Sequence, residues 1–320
     1  MLKNRGSLKC DAHGEVLDEY TLTGWLAHTY DDPGNRVSTT ISGERATATP
    51  KEVAPMHTGI VFYGTDPAQA ASALAAARNL FSRFGREATN AFFWEFVVRN
   101  GERFVGEHEV LPADLEGRIS VGEATAFQVY NDGERDGASA ISFSYNAPAY
   151  GGLSFIDVQI GMSIHEIDEK VAEFLKNVAM LMSFKYAIAY GAENASIATK
   201  YATGVNLNRI FPFESTSLFT RDLPGRSPGT ASYERGKLRM VYPLNVLNEE
   251  HVEIRVDDLS LKEWIRSDAS RGSLESISNS MWLWSVKETE LFGVNNACGE
   301  SGILLAWQKA PVNKPLRKLP

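Results

Sequence analysis

The stretch PLNVLNEEHVEIR, residues 243–255, sets one histidine, His251, among Glu249, Glu250 and Glu253, and Asp257 and Asp258 follow almost at once. Three chemistries use such a set. A metal site would take imidazole and carboxylate ligands at two-residue spacing, but zinc and non-haem iron sites normally add a second histidine placed by a helix or strand. The six histidines stand apart at 13, 28, 57, 108, 165 and 251, with no H-x-H, H-x3-H or H-E-x-x-H among them, so no metal is expected. An acid–base site would pair His251 with a neighbouring glutamate, or His108 with Glu107 or Glu109 in GEHEV. The plainer reading of GEHEV is a hairpin edge with its side chains in water. The third chemistry is electrostatic, an acidic surface meeting a basic partner.

Other candidates weaken on inspection. CGESGILL, residues 298–305, is one residue short of the G-x-S-x-G elbow and leads toward a strand rather than a helix. Cys298 has no basic neighbour to make it a thiolate. No phosphate-binding G-x-x-x-x-G-K-[ST] or G-x-G-x-x-G occurs, and the prolines of PGRSPG remove donors that a phosphate cradle needs. Asn194-Ala195-Ser196 matches a glycosylation sequon without further support. Trp282, Trp284 and Val286 share one strand face and read as core, whereas Trp264, in a charged segment, reads as an exposed anchor for a partner. No cofactor is expected.

Composition narrows the class. In 320 residues, 43% hydrophobic and 22% charged, there is enough apolar material for a substantial folded core. A formal net charge of −8 opposes phosphate backbones and anionic membranes, so neither nucleic acid nor membrane is an expected partner. Two cysteines, Cys10 and Cys298, exclude a disulfide framework. The start MLKNRGSLKCDAHG has no apolar run of a secretory signal. No segment approaches the roughly 20 apolar residues of a membrane span. These features together predict a cytoplasmic protein.

The elements that would position these residues are legible as patterns. Residues 1–56 are polar and turn-rich and read as an N-terminal extension packed on the body through Trp25 and Leu26. A first α+β unit pair is expected over 57–219, a loop rich in Pro-Gly steps over 220–236, and a C-terminal α+β portion of the same body over 237–320. Strand Ile60–Tyr63 precedes a helix started by Asp66, Pro67 and Gln69, carrying Leu74, Ala77, Phe81 and Phe84 on one face and ending at Gly85. Ala91–Val98 follows as a strand with Phe92, Trp94, Phe96 and Val98 on one face. The grammar returns at LSFIDVQIGM, with a helix begun by SIHE and striped by Ile164, Ile167, Val171, Phe174, Leu175, Val178 and Leu181, then the strand KYAIAY. TAFQVYNDG and ISFSYNAP read as an antiparallel pair. Beyond 236, strands are expected at KLRMVYPL, MWLWSV and GILLAW, and a helix at LSLKEWIRSD. The whole is an α+β fold, a mostly antiparallel sheet with helices packed on one face and two related strand–helix–strand units.

Four stretches carry a resemblance. HTGIVFYGTDPAQAASALAAARNLFSRFG, AISFSYNAPAYG with the helix IDEKVAEFLKNVAMLMSFKYAIAYG, YPLNVLNEEHVEIR and SMWLWSVKETELFGVNN are, in this order, similar to segments of the type VI immunity protein family (TsiV-type). The likeness spans roughly residues 57–307. The chain departs where QIGMSIHEID replaces a Pro-x-Glu-Tyr-Leu-like run, and where Val246 stands in place of a tryptophan after Asn245. The resemblance implies a non-catalytic immunity protein that binds a cognate secreted toxin acting in the cytoplasm and occludes its active site. It makes His251 a recurring structural element. With the acidity of the chain, it makes Glu249, Glu250, Glu253, Asp257 and Asp258, with Trp264, the expected surface for a basic toxin. A hydrolase using His251 or His108, and an oligomeric scaffold such as a homodimer joined through a strand edge, are the alternatives left open.

Overall fold

The computed structural model describes residues 57–309 except 100–101, 132–139, 148–153, 205–207, 216–232, 234 and 279, with backbone alone at 98–99 and 102–104 and in four strands before residue 42. The chain divides into two compact units, Met1–Val53 and Ala54–Pro320.

The first unit is a four-stranded antiparallel meander of β1 (Lys9–Cys10), β2 (Val16–Thr21), β3 (Gly24–Tyr30) and β4 (Arg36–Ile41). The stretch expected as an N-terminal extension thus contains a small sheet. The side chains of Trp25 and Leu26 lie outside the described residues, as does most of the loop expected over 220–236.

The second unit is built on one ten-stranded sheet. Its strands are β5 (His57–Tyr63), β6 (Asn90–Arg99), β7 (Glu102–Val110), β8 (Phe127–Tyr130), β9 (Ile141–Asn146), β10 (Phe155–Ile160), β11 (Tyr186–Ala192), β12 (Leu244–Asn248), β15 (Ser273–Ser276) and β16 (Met281–Ser285). Their order is β15-β16-β12-β11-β5-β10-β9-β8-β6-β7, and every neighbouring pair is antiparallel. Both expected strand–helix–strand units therefore share one sheet. In the second of them β5 lies between β10 and β11, so its helix crosses over one intervening strand.

The helices are α1 (Ala70–Arg83), α2 (Leu115–Ser120), α3 (Ile164–Leu181), α4 (Ala195–Thr203), α5 (Glu249–Val252), α6 (Leu261–Arg266) and α7 (Glu288–Glu300). Two hydrophobic clusters separate them. Helices α1 and α3 bury Leu74, Ala77, Phe81, Ile167, Val171 and Phe174 with Ile60, Phe62 and Val158 of the sheet. Helices α4, α6 and α7 bury Tyr201, Trp264 and Leu291 with Val61, Tyr63, Ile188 and Trp284. The α+β class and the large antiparallel sheet are as expected, but helices cover both sheet faces rather than one. The reason is visible in the central strands, which carry Ile60 and Phe62 on one side and Val61 and Tyr63 on the other, all 0% exposed. A strand apolar on both faces demands a cover on both.

Local signals act largely as read. Six apolar residues of the α3 stripe are buried, which contributes on the order of 10 kcal/mol before chain entropy is subtracted. Leu181, the seventh, is 41% exposed at the helix end. Helix α1 starts a turn later than expected: Asp66 instead accepts the Ala68 N–H at 2.9 Å in a local turn, and Gln69 occupies the cap position. In β6 the residues Phe92, Trp94 and Phe96 do share a face, yet the core takes the other one through Ala91 and Phe93. Trp282, Trp284 and Val286 are core, as the pattern indicates. KETELFGVNN, where no helix was expected, enters helix α7, and GILLAW contributes isolated bridges at Leu304 and Trp307 rather than a strand.

Candidate functional site

The acidic stretch leaves the sheet at the end of β12 and folds into a knuckle. Asn248 caps α5 by accepting the His251 backbone N–H at 3.0 Å, and the His251 Nδ1 returns the favour by accepting the Asn248 N–H at 3.2 Å. That bond leaves the proton on Nε2, which donates to the Tyr233 carbonyl at 2.5 Å. His251 is 0% exposed, and burial depresses its pKa to about 4. It is a neutral capping residue fastened at both ring nitrogens, with no lone pair or proton left for a substrate. The structure thus places His251 in a structural role rather than in acid–base or metal chemistry.

Around this pin the carboxylates face water. Glu249 and Glu250 occupy the first turn of α5, Glu253 its C-cap, and Asp257 and Asp258 the turn of the hairpin β13 (Arg255–Val256)/β14 (Leu259–Ser260). All five are exposed, while Val252 and Val256 between them are 1% exposed and anchor the knuckle to the core. Asp257 adopts φ 52°, a left-handed conformation that aspartate tolerates better than most residues. The nearby cations are partly engaged: Arg255 donates to the Asp258 carbonyl, and Lys262 lies 5.4 Å from the Trp282 ring. The hairpin feeds α6, where Glu263 accepts the Ser260 N–H at 2.9 Å and its hydroxyl at 2.8 Å in a second capping box.

Trp264 corrects the expectation of an exposed anchor. It is 3% exposed, packed in the core beneath α6, with the Arg271 guanidinium 4.1 Å from its ring centre. Charged neighbours in sequence misled because a one-and-a-half-turn helix turns Leu261, Trp264 and Ile265 inward together. His108 is half-exposed and stacks on Phe93, with its Nε2 3.1 Å from Glu95 of the adjacent strand. Glu107 and Glu109, its neighbours in sequence, leave from the opposite sheet face. Cys298 is 0% exposed, with burial pushing its thiol up to about 12.

One constellation escaped the sequence reading. Arg239 and Glu214, each 1% exposed, meet inside the core with Nε 3.7 Å from Oε1. Arg239 donates to the Tyr201 carbonyl at 2.7 Å and the Tyr63 hydroxyl at 3.1 Å, and its guanidinium lies 3.4 Å from the Tyr201 ring centre. The Tyr201 hydroxyl donates to Glu214 at 2.8 Å and lies 2.6 Å from that of Tyr242. Burial raises the Glu214 carboxyl, against the pull of Arg239 and Tyr201. The network ties α4 to the segment before β12 and is fully enclosed. The only sequence hint was the crowding of tyrosines at 186, 190, 201 and 242. Among the described residues no three His, Cys, Asp or Glu side chains converge as a metal set, and no helix is long and apolar enough to cross a membrane.

No family model matches the chain, and no curated protein matches it. Among solved structures, the chain is similar to a T6SS protein of Pseudomonas aeruginosa at 9% identity and a TM-score of 0.48, over 79% of this chain and 75% of that one. A second similarity, at 11% identity and a TM-score of 0.25, covers 49% of this chain and 97% of a chain from the structure of the toxic C-terminal tip of CdiA from Pseudomonas aeruginosa in complex with immune protein.

Proposed function

We propose that this protein is a cytoplasmic immunity protein that binds a cognate secreted bacterial toxin and blocks its active site. The observation that carries the reading is the knuckle: five exposed carboxylates on two short elements, held rigid by the buried His251 and the cap of Asn248. A rigid charged surface loses little side-chain and loop entropy on docking, and in a chain of net charge −8 it draws a basic partner by long-range attraction. The ordered resemblance to the type VI immunity family supports the same partner class. The hydrolase alternative loses support, because His251 is sealed and His108 stands half-exposed on an edge strand beside Glu95.

The test is a protection assay with a titration. The adjacent open reading frame is expressed in a bacterial host with and without this gene, and the purified pair is titrated. The expected result is rescued growth and tight binding whose association rate falls about tenfold or more on reversal of Glu249, Glu250 and Glu253 to lysine, with the difference shrinking at high salt. A neighbour that is toxic but neither bound nor neutralised overturns the reading.

A further inference from the structure

The two margins of the ten-stranded sheet differ. One ends in β15, only four residues long (Ser273–Ser276), with Glu275 paired to Lys176 of α3 at 2.9 Å. The other ends in β7, nine residues long, pairing with β6 from Arg99↔Glu102 to Ala91↔Val110 without a register shift. Natural edge strands are usually blunted by shortness, bulges, proline or charged side chains, lysine above all. Strand β7 contains no proline, no lysine and no bulge, and the charges in its second half, Glu107 and Glu109, are acidic, so they repel another acidic strand but not a basic one.

The register shows which groups this edge offers. The Trp94 N–H bonds the Ala126 carbonyl, so Trp94 turns its backbone toward the β8 side and its neighbours Phe93 and Glu95 turn theirs toward β7. Phe93 pairs with His108 and Glu95 with Gly106. Val105, Glu107 and Glu109 therefore direct their N–H and C=O groups away from the sheet. Among the described residues no backbone group bonds them. Their side chains share one face, with Val105 49% exposed and both glutamates exposed. An eleventh strand paired here would set its own side chains directly opposite these three, where unlike charges attract and like charges repel.

We infer that the β7 edge is a second docking surface that takes an extended basic segment of the partner by strand addition, with Lys or Arg opposite Glu107 and Glu109 and an apolar residue opposite Val105. The identity of that partner as the toxin rests on the proposed function; the strand addition does not. Backbone hydrogen bonds supply the affinity and the alternate side chains the selectivity.

The probe is an acetylated, amidated peptide of alternating lysine and valine, long enough to lie along β7, added to the full-length protein while backbone amide hydrogen exchange is followed. Slowed exchange at Val105, Glu107 and Glu109, and none with the matching glutamate–valine peptide, is the expected result. Val105→Pro removes an outward N–H at a position where an edge strand tolerates proline, and abolishes the slowing. The pair Glu107→Lys and Glu109→Lys leaves the backbone intact and transfers the preference to the acidic peptide, a change of roughly tenfold or more. Unchanged exchange at the three edge amides with the lysine peptide, or slowing confined to residues 249–258, overturns the inference. Growth rescue separates the two claims. If wild type fails to protect while the peptide binds β7, the toxin reading falls and the edge stands. If Val105→Pro protects as well as wild type, the edge is not a toxin contact.

Discussion

Asp157 gives the sharpest test of how the sheet and α4 are held together. It lies on β10, 5% exposed, and accepts from Gln159 Nε2 at 2.6 Å and from Thr199 of α4. Burial is the dominant influence and pushes the carboxyl from 3.8 up to about 7, against the pull of the two hydrogen bonds. Between those values the folded protein keeps a proton that the unfolded chain has released. Stability therefore falls as pH rises through this window, by about 1.4 kcal/mol per pH unit and about 4 kcal/mol in all by pH ~8. Asp157→Asn keeps the shape and never ionises. It should match wild type near pH ~4 and exceed it by up to about 4 kcal/mol at pH ~8. His251 acts oppositely: with its folded value near 4 below the ordinary 6.5, its contribution is full above the unfolded value and is lost as pH falls toward the folded one. The two slopes offset each other in wild type, so the difference between Asp157→Asn and wild type is the quantity to plot. Urea unfolding followed by the fluorescence of the six tryptophans provides it. A difference constant across pH, or an asparagine variant less stable at pH ~8, would refute the reasoning.

Three further outcomes follow from the geometry. His251→Ala removes two buried hydrogen bonds, from the Asn248 N–H and to the Tyr233 carbonyl, together with the packing of the ring, and should cost about 2–4 kcal/mol in thermal or urea unfolding while removing the acid sensitivity that His251 imposes. In Gly59→Ala the new Cβ would sit 2.5 Å from the Tyr190 ring, which is fixed by its hydroxyl bond to Ala198 of α4. A loss of about 1–3 kcal/mol and an altered near-ultraviolet circular dichroism spectrum are expected. Trp264→Ala should destabilise by about 3–5 kcal/mol in urea. An unchanged midpoint with weakened toxin binding would instead restore Trp264 as an interface anchor.

What sequence alone determined was local and periodic. The α3 stripe, the β16 tryptophan face and the β8–β9 pairing were all legible, because each depends on spacing within one or two neighbouring elements. The exposure of Glu249, Glu250, Glu253, Asp257 and Asp258 was legible too, since desolvating five clustered carboxylates is too costly without partners. Only the tertiary structure decided how the elements share space. It split β10 from β11 by β5, gave the sheet covers on both faces, turned Trp264 inward, and brought Arg239 to Glu214 across 25 residues of chain. It also sealed His251 against a carbonyl 18 residues away. Burial and long-range pairing belong to the assembled fold, and they are what made one histidine a cap and set one nine-residue strand at the sheet's margin.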